Sequence, residues 1–282
     1  MRRSRRWLRA LAAGTGLCVA GAGCVNGTVR IAARPAVGDV SRYRISVRAV
    51  SVTAIGGEAP RRRTSTSVLV ARHRVLASGP DGSRVEVRLQ REGGDPTTFV
   101  ARLDRAGQLV EVERIDGLPA GALGDLGLSE IFPAGAAAPP RHHLAPGDSW
   151  PLDGPVRIGD AANGGGGDAP PQADRAPARL EGRGRLVSLG VAGGRRLATV
   201  DSHYTLPVRR TAAGSGGRLA LEGTLATRTR VAYDLDDKEV ASVEAHSTGR
   251  YAVTLLPPAG VDGMPVPGTL TVNVSSTSRR VG

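Results

Sequence analysis

The sequence predicts a mainly β protein, with antiparallel sheets in two similar repeats, half-barrel or sandwich-like, and a short helix or loop between them. Three observations predict it. Short runs alternate apolar and polar residues, as where Tyr43, Ile45 and Val47 interleave with Arg42, Arg44, Ser46 and Arg48, which is the period of a strand with one buried face. Turn chemistry separates the runs at Gly79-Pro80-Asp81-Gly82, Ala106-Gly107 and Gly193-Gly194. Segments of the first half also recur in the second. RVLASGPDGSRVEVRLQ from Arg74 resembles RLVSLGVAGGRRLATVD from Arg185, and LDRAGQLVEVE from Leu103 resembles YDLDDKEVASVE from Tyr233. Gly38-Asp39 opens the first copy and Gly147-Asp148-Ser149-Trp150 the second.

In chain order, residues 1–23 read as a signal peptide. The first nine residues carry five arginines and no acid, and they run into small and apolar residues from Leu8 to Gly23, an apolar stretch of about 14 residues against the roughly 20 that a spanning helix needs. The run ends in Ala20-Gly21-Ala22-Gly23-Cys24. This resembles the lipobox of bacterial lipoproteins, with Gly21 standing where that pattern favours a large aliphatic residue. The resemblance implies that signal peptidase recognises Gly21, Ala22 and Gly23, and that Cys24 takes a diacylglycerol, is acylated with chains such as palmitate and becomes the mature N-terminus. Arg5-Arg6 also gives the leader a partial twin-arginine character. Residues 24–37 have no strong period and are expected to form a lipid-anchored tether.

The first repeat is expected over 38–116. It comprises the strand from Arg42 with a bulge near Ala49, and strands over Thr66 to Leu76, Ser83 to Gln90 and Thr98 to Asp104. Residues 117–145 break the alternation and form a linker with scope for a short helix, weakened by Gly121, Gly124 and Gly127. The second repeat, 146–282, contains a Gly-, Pro- and Ala-rich flexible loop at 159–178. Strands follow at Val187 to Val191, Leu197 to Leu206, Arg218 to Leu235, Glu239 to Ala245, Arg250 to Leu255 and Thr269 to Ser275, with Ser247-Thr248-Gly249 expected as a turn.

Composition narrows the function. The formal net charge is +12, and five of those charges lie in the leader. Lys238 is the only lysine, and the arginines are scattered singly along strands, which suits a solvated sheet face better than a nucleic-acid surface. Cys18 falls in the leader, so the mature chain has Cys24 alone and no disulfide or cysteine metal cluster.

Chemical constellations are sparse. His142, His143 and Asp148 permit a metal-dependent hydrolase as a remote alternative, although neighbours on a strand point to opposite faces. His203 shares a strand face with Asp201, and no G-x-S-x-G accompanies them. Asp236-Asp237 falls in a turn, and Glu111 and Glu113 face outward. Trp150 reads as a core residue, with Asp148 and Ser149 capping a turn. No catalytic residue, resident metal or cofactor is expected, and the chain reads as a non-enzyme.

The PGDSW element after a Pro-rich midpoint resembles an uncharacterised group of envelope lipoproteins with two β-repeats. More remotely, the arrangement resembles half-barrel lipoproteins that carry acylated lipids. These likenesses imply an exported protein, lipid-anchored to the outer face of the cytoplasmic membrane or to an outer membrane where the source has one, binding a lipid or amphiphile on a curved sheet. The alternative is a structural or protein-interaction scaffold at the envelope. The expected partners are the membrane, through the N-terminal lipid, and a lipid or envelope protein, with no nucleic acid.

Overall fold

The computed structural model describes residues 27–91, 93–115, 139–155, 179–214, 217–257 and 263–281, and no helix occurs among them. The strands in chain order are β1 (Val40–Ile55), β2 (Arg61–Gly79), β3 (Gly82–Arg91), β4 (Thr97–Asp104), β5 (Leu109–Ile115), β6 (Ser149–Pro155), β7 (Arg179–Ala192), β8 (Arg195–Gly214), β9 (Gly217–Asp234), β10 (Glu239–Leu256) and β11 (Val266–Val281). All belong to one antiparallel sheet in the order β5-β4-β3-β2-β1-β11-β10-β9-β8-β7-β6. The first five strands run from the centre to one edge, and β6 to β10 run from the other edge back to the centre. β11 joins the halves by pairing with both β1 and β10. The sheet is not closed into a barrel.

Alternation sorts side chains onto two faces. Tyr43, Ile45, Val47, Leu69, Val85, Val87 and Phe99 form the buried cluster of the first half. Trp150, Leu152, Leu180, Leu186, Val200 and Tyr233 form that of the second. Glycines make room for the aromatics. Gly184 lies directly opposite Trp150, and Gly182 opposite Tyr204. A Cβ on Gly184 would stand 2.5–2.7 Å from three atoms of the Trp150 indole.

The same backbone corner is built in each half. Gly38 and Gly147 both have positive φ, at 93° and 102°. The following aspartate accepts a hydrogen bond from the N–H three residues earlier, Ala36 to Asp39 at 2.7 Å and Ala145 to Asp148 at 2.8 Å. Gly38 N–H then donates to Val75, as Gly147 N–H does to Leu186. A register shift follows at Val75/Ala77 and at Leu186/Ser188. The β4–β5 and β9–β10 turns also match. Asp104 Oδ1 accepts from the N–H groups of Ala106 and Gln108, and Asp234 Oδ1 from those of Asp236 and Asp237. Gly107 and Lys238 take the positive φ that each turn requires.

Several expectations change. Residues 24–37 were expected to be a tether, yet from Val29 onward the segment is part of the body. Val29 bridges Leu144, Ala33 N–H donates to Arg105 O and Arg34 N–H to Lys238 O. Ile31 has no exposed surface. Hydrophobic burial of Ile31 and Ala33, at alternate positions, turns the tether into a strap across both halves. There is no bulge at Ala49, because β1 pairs without interruption through it on both sides. Beyond Ala49 both faces of β1 are half-buried, which removes the pressure for one strand phase. Ser247-Thr248-Gly249 is not a turn but the middle of β10, where Gly249 lies beneath the ring of Tyr251. The helix expected within 117–145 and the loop at 159–178 fall largely on or wholly within residues outside those described. Cys24, Gly21, Ala22 and Gly23 also lie outside them.

Candidate functional site

The sheet curls until the β4–β5 turn of the first half meets β9 and β10 of the second. Gly107 is packed so closely there that an added Cβ would stand 2.9 Å from Val240 Cγ2. The strap crosses this junction, and beneath it the inner face encloses a cavity of about 100 Å³. Ile45, Val85, Leu103, Leu109, Val231 and Val243 give it apolar walls, with Ala33 and Pro35 of the strap at its margin.

A polar cluster stands at one side of the cavity. Ser41 Oγ donates to the Glu239 carboxylate at 2.8 Å, and Arg280 Nη1 reaches Glu239 at 3.2 Å and Asp237 at 2.8 Å. The Tyr43 hydroxyl donates to Val240 O at 3.1 Å. Burial, reinforced by the Glu239 carboxylate, pushes that hydroxyl well above its ordinary pKa, so it remains a donor. His73 packs against Tyr43 with ring centroids 4.7 Å apart and the rings tilted by 39°. Burial lowers its pKa to about 4, so the ring is neutral at physiological pH. Chemically the cluster clamps β1, β10 and β11 together. The Ser41 hydroxyl is held by a carboxylate that Arg280 also engages.

The aspartates of the two turns behave differently. Burial raises Asp104 to about 6, against the Gln108 and Ala106 N–H groups and Arg105. For Asp234 burial also acts upward, but the Asp237 and Asp236 N–H groups and Arg195, at 2.9 Å, outweigh it and hold the carboxyl below its usual range. A folded pKa above the unfolded value means that the Asp104 contribution is fully present below about pH 4 and is lost as pH rises through about 6. His73 acts in the opposite sense, its contribution being lost as pH falls from about 6.5 through about 4. Asp104→Asn keeps the acceptor oxygen without the charge. It is therefore expected to stabilise the protein by about 1–3 kcal/mol near pH 8 and to be neutral near pH 4, read as thermal midpoints at the two pH values.

The residues singled out from sequence lie elsewhere. His142 and His143 are exposed, Asp148 Oδ2 is occupied by the Ala145 N–H, and no metal-ligating group of three occurs among the described residues. Asp201 makes a two-point pair with Arg230, both contacts at 2.7 Å, while His203 faces solvent. Asp236 and Asp237 engage Arg196 and Arg195, so the backbone role in that turn falls to Asp234. Sequence reasoning missed Ser41, His73 and Glu239. The available signal was phase, since His73 shares the inward phase of Leu69, Ala71 and Val75. Compared with known proteins, the sequence matches no protein-family model and no curated protein.

Proposed function

We propose that the protein is a non-catalytic envelope lipoprotein, anchored through Cys24, that binds a lipid or other amphiphile on the inner face of its curved sheet. The observation that carries the reading is the apolar cavity between the two halves, on an inner face that continues beyond it. Past the buried Ser276, that face presents half-buried Ala49, Val274, Val272, Leu270 and Tyr251. The cavity is smaller than the roughly 150 Å³ space that admits benzene. It suits the end of an acyl chain, with the remainder lying along the trough.

The strap shortens the anchor. Only Cys24 to Thr28 precede the first pinned residue, a span of at most roughly 18 Å. Cys24→Ser should move the protein from the membrane to the soluble fraction at high ionic strength, where charge attraction to the bilayer is screened, and failure to release it there contradicts the anchor. The chain from Val25 onward retains every described strand and both core clusters. Organic extracts of that purified chain should contain an acylated compound by mass spectrometry. A lipid-free extract, together with no saturable uptake of a fluorescent fatty acid, would overturn the lipid reading.

A further inference from the structure

The outer face of the first half carries arginines that the fold leaves without acids. On β1, β2 and β3 the pairing register places Arg42 directly opposite Arg72, and Arg72 directly opposite Arg88. Arg44 follows on β1, opposite Arg279 of β11. All five side chains are exposed. Arg279 reaches Glu244 at 3.7 Å, whereas Arg42, Arg44, Arg72 and Arg88 make no ion pair among the described residues. Glu86, opposite Arg74, is the acid nearest in register to the row.

Several arginines of the second half do find acids. Arg230 is paired with Asp201, Arg179 with Asp153, Arg196 with Asp236 and Arg209 with Glu222. Like charges directly opposite each other across strands are destabilising, and Arg42, Arg72 and Arg88 sustain that cost with no acid directly opposite any of the three.

Apolar side chains are set among these arginines. Val70 lies opposite Arg44, Val281 opposite Arg42, and Val40 precedes Arg42 on the same face of β1. They are 49%, 41% and 44% exposed. Arginines interleaved with exposed valines match a bilayer surface, where phosphates meet the first methylenes, better than a hydrated soluble polyanion. The row also occupies the end of the sheet at which the strap enters β1.

We propose that the outer face of β1, β2, β3 and β11 docks on an anionic lipid bilayer, with Arg42, Arg44, Arg72 and Arg88 on the phosphates and Val40, Val70 and Val281 at the headgroup boundary. This takes its setting from the membrane-anchored reading above but is independent of the cavity. Docking there leaves the inner face of the sheet turned away from the bilayer that holds the anchor, open to solvent or to a partner.

Vesicle co-sedimentation of the chain from Val25 onward tests it. Vesicles of phosphatidylcholine with about one-third phosphatidylglycerol should bind the protein, and pure phosphatidylcholine vesicles should not. Binding should fall steeply as salt shortens the Debye length from about 8 Å toward 3 Å. The fourfold variant R42Q/R44Q/R72Q/R88Q should lose roughly fivefold in affinity per arginine, with an unchanged or raised thermal midpoint. V70N/V281N should weaken vesicle binding while leaving binding to soluble polyphosphate as it was. Equal binding to both vesicle types, full binding by the fourfold variant, or polyphosphate binding without vesicle binding would each overturn the proposal. Uptake of a fluorescent fatty acid by the fourfold variant separates the two readings, because loss of docking with retained uptake leaves the cavity assignment standing.

Discussion

Gly184→Val is expected to destabilise the protein by about 3 kcal/mol, lowering the thermal midpoint by roughly ten degrees for a chain of this size. Gly184 faces Trp150 across the β6–β7 ladder, and a Cβ there would stand 2.5 Å from Trp150 Cε2 and 2.6 Å from its Nε1. The indole cannot yield. It is 5% exposed and packs in the same cluster as Leu152, Leu180 and Leu186. β6 is an edge strand, so the alternative to compression is for β6 to leave the sheet. Trp150→Ala alone should cost about 3–5 kcal/mol through lost burial and a cavity. In that background Gly184→Val should cost almost nothing, because the new methyl groups enter the vacated space. The double-mutant cycle should therefore show a coupling of about 2–3 kcal/mol. Additive losses would contradict the account of Gly184 as the seat of the indole. Trp150→Phe should be mild by comparison, since the indole N–H makes no hydrogen bond among the described residues.

The second large effect concerns the strap. Ile31 is fully buried among the second cluster, with Leu144 and Ala106, and its neighbours reach Leu144, Arg105 and Lys238 through the backbone. These partners come from the approach to β6, the β4–β5 turn and the β9–β10 turn, so one buried side chain secures a segment that ties both halves. Ile31→Ala should remove about 2–5 kcal/mol of packing. The strap contributes no strand to the sheet, so the loss should appear as local opening. Hydrogen exchange is expected to quicken by at least roughly thirtyfold in the segment containing Val29, Ala33 and Arg34, with little change in β1, β2 and β10. Ala33 and Pro35 border the cavity, so ligand entry should quicken with it. Equal acceleration in the strap and in the central strands would show that the strap is integral to global stability and not a detachable clip.

Legibility in the sequence followed the range of the physics. Strands were readable where one face is dry, as at Tyr43, Ile45 and Val47, because alternation there is a direct record of burial. The turn at Gly193-Gly194 was readable because both glycines take a positive φ, which ordinary side chains avoid. Alternation failed as a guide to Ala49–Ile55 and to Gly249, where half-burial on both faces, or an aromatic ring lying over glycine, replaces the simple inside–outside rule. The strap carried a faint signal in Val29, Ile31 and Ala33 against Arg30 and Arg34. Its alanines gave little hydrophobic contrast, and its partners are contributed by three distant turns and connections. The cavity was least legible. Ser41 meets Glu239 only because β11 brings β1 and β10 together, a contact across 198 positions that no local pattern encodes. The arginine row is similar, since single arginines spaced along separate strands become a charged row only once the register is set.

The measurement that tests the central claim most directly is isotope-filtered NMR of the chain from Val25 with carbon-13-labelled hexadecanoate, run beside Val243→Phe. Val243 is half-buried on the cavity wall, and a phenyl ring there should fill the space. The account predicts saturable binding, with contacts from the labelled chain terminus to the methyl groups of Val231 and Val243 and to the Tyr43 ring, and loss of those contacts in Val243→Phe. Absence of saturable binding, or identical spectra from the two proteins, would contradict it.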